Sequence, residues 1–428
     1  MTASDPTSTI YNRPVNCDSH GGLIAPYDRA GLGGISAKCG IAPVMTNTQI
    51  KGMIAAIAAI SIFAFGFSLI IPLLSLLMEA RGFTGLEIGV VNAASAFAIA
   101  GGGFVLPMFL RYVSVPTLII VSAALMAGTF CLFLLVPYFY TWMLLRFFMG
   151  FSAAAIFFGS EIWIIASAPE KKRGLMIGVY GLFLSLGFLA GPLLLKLVGT
   201  EGWTPFLTGA AIVILATLPV VWARGAAPDG GETDEERSKA SPLDVFRFFR
   251  SDPAVLWAVA LFGCIEFGAM GLIPVWSIRI GMDQQAALTL VALLAAGNVI
   301  MQVPLGWLGD KFNRRSLLTI CAAFCVIAAL GAPAVSETVW PLYILTAVWG
   351  GVVVGLYTFA LNELGSRYTG AEFARGNGAF MSAYGLGALV APPLLGMAMD
   401  AFPPHGMFRV LAVAAAAYLA LLLLRKRR

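Results

Sequence analysis

From residue 53 onward the chain is built of long apolar runs separated by short polar breaks. The runs cover about 53–78, 85–110, 115–136, 139–168, 175–198 and 204–223, then 254–280, 285–309, 316–335, 339–366, 377–400 and 406–424. Each holds roughly 20 or more mostly apolar residues, enough to cross about 30 Å of hydrocarbon as a helix. Lipid offers the backbone no hydrogen-bond partners, so a spanning segment must be a helix or part of a closed barrel. The short alternating strands that a barrel needs do not appear in the pattern. It therefore predicts an all-α membrane protein with twelve transmembrane helices, six in each half.

The halves repeat one another. Glu161, Glu170, Arg173 and Gly174 return as Glu363, Glu372, Arg375 and Gly376, at an offset of 202 residues. Phe65, Gly66, Ile71, Pro72 and Ser75 return as Phe267, Gly268, Ile273, Pro274 and Ser277 at the same offset of 202. Two separate blocks sharing one offset point to a copied six-span unit, hence two pseudo-symmetric bundles with function expected where they meet. The bundles are read as 52–224 and 253–428, joined by a polar linker at 225–252. Within the linker, the stretch 245–250 reads as a short amphipathic piece at the membrane surface. Residues 1–51 are rich in Gly, Pro, Ser and Asn and read as a disordered cytoplasmic tail. Alternatively they are an extension upstream of a true start near Met45 or Met53.

Composition sharpens the class. Residues are 59% hydrophobic and 11% charged, with a mean hydropathy of +0.87, whereas a soluble domain carries about 25% charged residues. The net charge of +5 would suit a nucleic-acid partner, but the basic residues lie in short clusters between apolar runs. That placement is a topology signal, and no nucleic-acid partner is expected. Of 27 Lys and Arg, 22 fall on the side of both termini and four, Arg81, Lys196, Arg279 and Arg409, on the other. Both termini are thus read as cytoplasmic, in a bacterial-type inner (plasma) membrane. Cys17, Cys39 and His20 are too few and too widely spaced for a metal site. A phosphate-cradling Gly-Lys-Ser/Thr loop and a nucleophile–His pair are likewise missing from the sequence, so neither an enzyme nor a cofactor is expected. Work must be driven by an ion gradient or by the gradient of the solute itself.

A charge in hydrocarbon costs at least about 2.5–3.5 kcal/mol, so each one needs a reason. Glu266 lies about 18 Å into its helix, near the midplane, and position 64 in the first half is Ala. It reads as a proton or substrate site, against a structural hydrogen bond. Glu161 and Glu363 are twinned and nearer the cytoplasmic end, which favours gating ion pairs with Arg367, Arg173 or Arg375 over a proton carrier. Arg146 is about 22 Å from Glu161 along one helix, so Glu266 is its expected partner, with snorkelling to the outer surface the alternative. Pro72 and Pro274 read as hinges or as packed kinks. Asn298 and Gln302 share a helix face, for cavity lining or interhelical bonding. Tyr180, Tyr384, Asn92 and Trp276 are weaker candidates for solute contact.

One motif is more specific. Gly306-Trp-Leu-Gly-Asp310-Lys311-Phe-Asn313-Arg314-Arg315 resembles the Gly-x-Leu-x-Asp-Arg-x-Gly-Arg-Arg signature of the major facilitator superfamily. Asp310 is expected to end a helix and bond a neighbouring helix N-terminus, and Asn313 to take the left-handed turn usually made by Gly. Arg314 and Arg315 are expected at the anionic leaflet surface. The counterpart in the first half has Leu110 at the Asp position and Val113 at the Gly position. Arg146 and Gly150 match the family's Arg-x-x-x-Gly pattern, and Gly187 to Gly191-Pro192 resembles its exporter motif, with a partial twin ending at Pro392. The resemblance spans about residues 53–424 and is nearest to predicted sugar or drug efflux permeases. It implies alternating access about a cavity lined by helices one, four, seven and ten, a buried arginine tied to proton coupling, and a latch between halves on the cytoplasmic side. The combined reading is a monomeric secondary transporter of a small organic solute, driven by protons outward through the lipid bilayer. The runner-up is a facilitator or importer of sugar-like solutes. A non-transporting membrane sensor, the reading from another class, would need a soluble domain that tail and linker are too short to supply.

Overall fold

A computed structural model describes residues 46–110, 112–169, 173–227, 247–248, 250–368 and 370–424. The first half forms α1 (Asn47–Ala80), α2 (Gly85–Phe109), α3 (Val115–Leu135), α4 (Phe139–Ser167), α5 (Arg173–Val198) and α6 (Thr204–Trp222). The second forms α7 (Pro253–Arg279), α8 (Gln284–Lys311), α9 (Arg314–Ala334), α10 (Val339–Arg367), α11 (Gly370–Ala401) and α12 (Gly406–Leu424). All twelve are long and apolar enough to span a membrane, and the described residues contain no strand. The face of the bundle where α1 begins and α12 ends is called the terminal face below, and the opposite one the distal face.

Two boundaries move. Helix α1 begins at Asn47, inside the expected tail, and α11 begins at Gly370 rather than near 377. Hydropathy marks where the chain enters hydrocarbon, whereas a helix continues into polar sequence as long as its backbone bonds close. The remainder of the expected tail, most of the linker, and the side chains of Arg173 and Asp310 lie outside the described residues. From the expected surface piece, Phe248 is buried and its ring sits 5.5 Å from that of Tyr368, so this residue packs on protein.

The motif turn differs from expectation. Asn313 has φ −63° and caps α9, its side chain accepting from the backbone N–H of Arg315 at 3.0 Å and Ser316 at 3.3 Å. Only two residues join α8 to α9, and Asn is among the best N-cap residues, so capping takes precedence over a left-handed turn.

Duplication shows in the turns. Helix α1 closes with Gly82 N–H to Glu79 O and Phe83 N–H to Met78 O, at 2.9 and 3.1 Å. Helix α7 closes with Gly281 N–H to Ile278 O and Met282 N–H to Ser277 O, at 2.9 and 3.0 Å. Each is the paired-bond C-terminal motif that needs a left-handed residue, here Gly82 at φ +77° and Gly281 at φ +87°. Pro72 and Pro274 are buried inside these same two helices. The two bundles meet closely on the distal side, where α2 and α11 run with Gly85 against Gly396 and Gly89 against Pro392. Small residues let helix backbones approach in lipid, where no hydrophobic force drives them together.

Candidate functional site

At mid-bundle α7 carries Glu266, about 20 Å along the helix from Pro253. The Tyr384 hydroxyl of α11 donates to its Oε2 at 2.6 Å. Tyr357 of α10 lies within electrostatic reach of both Glu266 and Glu161, the latter on α4 of the other half. Phe262 is 5.3 Å from the Tyr357 ring and 5.8 Å from the Tyr384 ring, and Phe267 is 6.0 Å from Tyr384. From the first half, Phe63 of α1 meets Phe157 of α4 at 5.2 Å and Phe188 of α5 at 6.0 Å. Phe67 meets Phe267 at 5.5 Å and joins the halves. Helices α1, α4, α7 and α10 each contribute to this set, together with α5 and α11. Glu161, Glu266, Tyr357, Tyr384, Phe63, Phe157 and Phe188 are each half-buried.

Arg146 does not pair with Glu266, nor does it snorkel outward. It is 0% exposed, and its Nη2 donates to Asn92 Oδ1 at 3.3 Å, while the guanidinium lies 5.3 Å from the centre of the Phe67 ring. Asn92 in turn donates to Ser75 at 3.0 Å. The partners each charge has come from its own bundle: Tyr384 for the carboxylate, and Asn92 with the Phe67 ring for the guanidinium. Among the described residues, Arg146 Nε and Nη1 have no hydrogen-bond partner.

Glu363 does meet Arg367, at 2.9 Å to Nε and 2.5 Å to Nη2, with Arg314 at 4.0 Å. Arg367 also bonds Asp252, to which the Tyr368 hydroxyl donates. Burial and this carboxylate neighbour push the Tyr368 hydroxyl up to about 12, so it stays a donor at any ordinary pH. A cavity of about 280 Å³ opens among Gly309, Phe312, Asn313, Arg314 and Glu363. Lys311 stacks over Trp307 at 4.1 Å, and Arg315 donates to Leu422 O of α12 at 2.8 Å. Arg375 is exposed. Asp252 apart, which lies in the stretch between the bundles, these contacts fall within the second half.

Gln302 accepts from Ser185 of α5 at 3.0 Å, a bond between halves, while Asn298 is half-buried one turn away. Gly191 and Pro192 are buried; a methyl group at Gly191 would collide with Ser68 and the Leu69 backbone of α1. Tyr180 bonds Ser160 at 2.8 Å.

A distal cluster escaped the sequence reading. Arg279 forks onto Glu79, with Nε to Oε1 at 2.8 Å and Nη2 to Oε2 at 2.9 Å, and its Nη1 reaches Asp400 Oδ1 at 2.9 Å. Asp400 also accepts from the N–H groups of Gly85 and Leu86, both at 2.9 Å. One arginine and one aspartate therefore tie α1, α2, α7 and α11, two helices from each half, and a carboxylate sits at the positive end of α2. The signal was present: Glu79 and Arg279 occupy the closing turns of the twinned helices. A repeat search does not pair them, however, because at the offset of 202 Glu79 aligns with Gly281 and Arg279 with Leu77.

Beside the cluster, Trp276 Nε1 donates to His405 Nδ1 at 3.1 Å. Burial and the charge of Arg409 lower the His405 pKa. The folded state favours neutral imidazole because Nδ1 must accept, and protonation turns it into a donor. Stability from this contact is present above the ordinary His value of about 6.5 and is lost as pH falls below it. The purified protein is expected to lose melting temperature on acidification through that range. His405→Gln, which keeps an acceptor without titrating, should flatten the dependence; an unchanged slope would remove His405 from it.

A family profile described as Major Facilitator Superfamily matches residues 56–372 and 290–428. The chain is 29% identical over 274 residues to YfkF, an MFS-type transporter of Bacillus subtilis, covering 61% of this chain and 66% of that one. It is 26% identical over 374 residues to an MFS-type transporter of Yersinia pestis, covering 85% and 93%. Among solved structures, a bacterial homologue of the human lysosomal transporter Spinster, inward-facing and unoccupied, superposes with TM-score 0.69 at 17% identity, over 89% of this chain and 98% of that one. With twelve spanning helices and a profile match across both halves, the chain belongs to the Major Facilitator Superfamily and is a membrane transporter rather than an enzyme.

Proposed function

We propose that the protein is a proton-coupled exporter of a small organic solute, working by alternating access with Glu266 as the coupling carboxylate. The observation that carries this is Glu266 itself: an acid at mid-membrane, half-buried and bonded to Tyr384. Tyr384 can serve either form of the acid, donating to the carboxylate or remaining bonded to the neutral carboxyl. Neutralising it lowers the penalty of closing apolar rings around it, which biases one conformation over the other. The Lys/Arg asymmetry supports a cytoplasmic terminal face, with the distal cluster as an outer closure. A solute would then enter from the cytoplasm, where Arg367 and Arg314 hold Glu363 within one half. Twinned prolines on α1 and α7 supply the bend.

The test uses proteoliposomes carrying an internal pH dye and an imposed proton gradient, challenged with a panel of sugars, nucleosides, organic anions and organic cations. At least one solute is expected to dissipate the gradient through the wild-type protein, and Glu266→Gln to reduce that flux about a hundredfold or more, on the scale of removing a group essential for proton transfer. Transport of the solute with no proton movement, or equal proton flux in the variant, would overturn the reading.

A further inference from the structure

Helices α7 and α11 cross main chain against main chain one turn from Glu266. A methyl group on Gly263 of α7 would lie 2.4 Å from the carbonyl oxygen of Tyr384. One on Gly387 of α11 would lie 2.1 Å from the carbonyl oxygen of Ala260 and 3.1 Å from the Cys264 nitrogen. Both glycines are buried, and the Cys264 thiol donates to the Gly387 carbonyl at 3.6 Å. We propose that Gly263 and Gly387 are positioning residues for transport, whose close approach holds the Tyr384 hydroxyl on Glu266; this rests on Glu266 being the coupling carboxylate.

The register of the two helices links the crossing to the bond. Gly263 precedes Glu266 by three residues and Gly387 follows Tyr384 by three, so each glycine shares a helix face with the group it would place. The Tyr384 hydroxyl stands 2.6 Å from Glu266 Oε2, and beyond about 3.5 Å no hydrogen bond remains. A Cβ on either glycine meets a carbonyl of the facing helix, which cannot rotate aside, and ordinary contact begins at 3.4 Å. The helices would have to part by roughly 1 Å, and a close-packed interior transmits such a shift rather than absorbing it. That displacement carries the hydroxyl to the edge of bonding range.

Packing alone would place glycines wherever helices meet in lipid. The first half shows the copied crossing without the acid. There Gly187 of α5, counterpart of Gly387 in the runs that end at Pro192 and Pro392, faces the Ala64 side chain of α1. Ala64 stands where Glu266 does, and Leu184, three residues before Gly187, stands where Tyr384 does. The closest main-chain approach lies a turn further on, where a methyl group on Gly191 would come 2.5 Å from the Leu69 nitrogen. Acid, phenol and closest main-chain approach coincide only in the second half.

The test is a double-mutant cycle on the full-length protein in proteoliposomes, with two readouts. One is solute-driven proton flux. The other is the infrared band of the Glu266 carboxyl or carboxylate at fixed pH, identified by its loss in Glu266→Gln. Tyr384→Phe removes the donor and should displace the band and lower flux about tenfold. Gly263→Ala and Gly387→Ala should each displace the band in the same direction and lower flux, and neither should add to Tyr384→Phe when combined with it. Gly268→Ala is the control on the same helix pair: its obstacle is the end of the Leu395 side chain, which can move, so band and flux should stay as in wild type. Cys264→Ala, which removes only the thiol across the crossing, is the mildest variant and should displace the band part way. The proposal is overturned by an unmoved band in either folded glycine variant, by an equal displacement in Gly268→Ala, or by effects that add to Tyr384→Phe. If neither glycine variant folds, Cys264→Ala decides, and an unmoved band there overturns it. Flux that depends on Glu266 with bands unmoved by the glycines leaves the coupling reading intact and removes the positioning role. Bands displaced as expected, with flux unchanged in Glu266→Gln, remove the coupling reading and leave only the spacing.

Discussion

Replacing Arg279 with Met is expected to open the distal face. Three charge-assisted hydrogen bonds join Arg279 to Glu79 and Asp400, and all three side chains are 30% exposed or less, so solvent screens them only in part. A hydrogen bond to a charged group contributes about 1.5–3 kcal/mol, which is roughly a 10- to 100-fold change in the balance between states for even one net bond lost. The loss is one-sided because it exists only while the halves touch, so it appears as a shift in population. Spin labels at Glu201 and Glu337, exposed positions in the distal connections of the two halves, report the separation. Wild-type protein should give a short distance, and Arg279→Met a longer one. Glu79→Gln should act less strongly, since it keeps one acceptor for the guanidinium. The paired swap of Glu79→Arg with Arg279→Glu tests the geometry: partial return of the short distance supports a direct pair, although Asp400 would then face a glutamate. No change in Arg279→Met would mean that helix packing alone closes this face.

This latch shows where the sequence was legible and where it was not. Spans, connections and duplication could be read because each depends on local or repeated composition: about 20 apolar residues force a helix in lipid, and a copied unit keeps its offset. Glu266 was legible for a related reason, since a charge at that depth has few explanations. Partners were not. Arg146 was assigned to Glu266 on reach along the helices, yet side chains from its own bundle met it first: Asn92 by hydrogen bond and Phe67 by its ring face. Asn313 was assigned by analogy to a glycine, and its capping chemistry decided otherwise. The distal cluster joins residues far apart in the chain that no periodicity links, and its members sit at span ends, where charge is ordinary and draws no notice. Partner choice is a tertiary property, set by which helices are neighbours.

Glycine substitutions separate contacts within a half from contacts between halves, and Gly396→Val should have the largest effect of any on the conformational balance. A methyl group at Gly396 would overlap the carbonyl of Gly85, and one at Gly89 would overlap that of Pro392, so α2 and α11 approach backbone to backbone. The obstacle is main chain on a facing helix and cannot rotate aside. The helices must part, and overpacking of this kind costs about 1–3 kcal/mol or more. Because α2 and α11 belong to different halves, the alternating access proposed above gives them a way to separate without unfolding, by the bundles rocking open at the distal face. Gly396→Val should therefore fold, give the longer distance between Glu201 and Glu337 labels, and lose transport. Gly350 provides the contrast. A methyl group there would overlap the Leu294 carbonyl, but α8 and α10 lie in the same half and have no second arrangement to adopt. Gly350→Val should lower melting temperature and yield with the label distance unchanged in whatever protein folds. If both variants lose stability alike and neither moves the labels, the halves do not part between α2 and α11, and alternating access in this chain must run through a different seam.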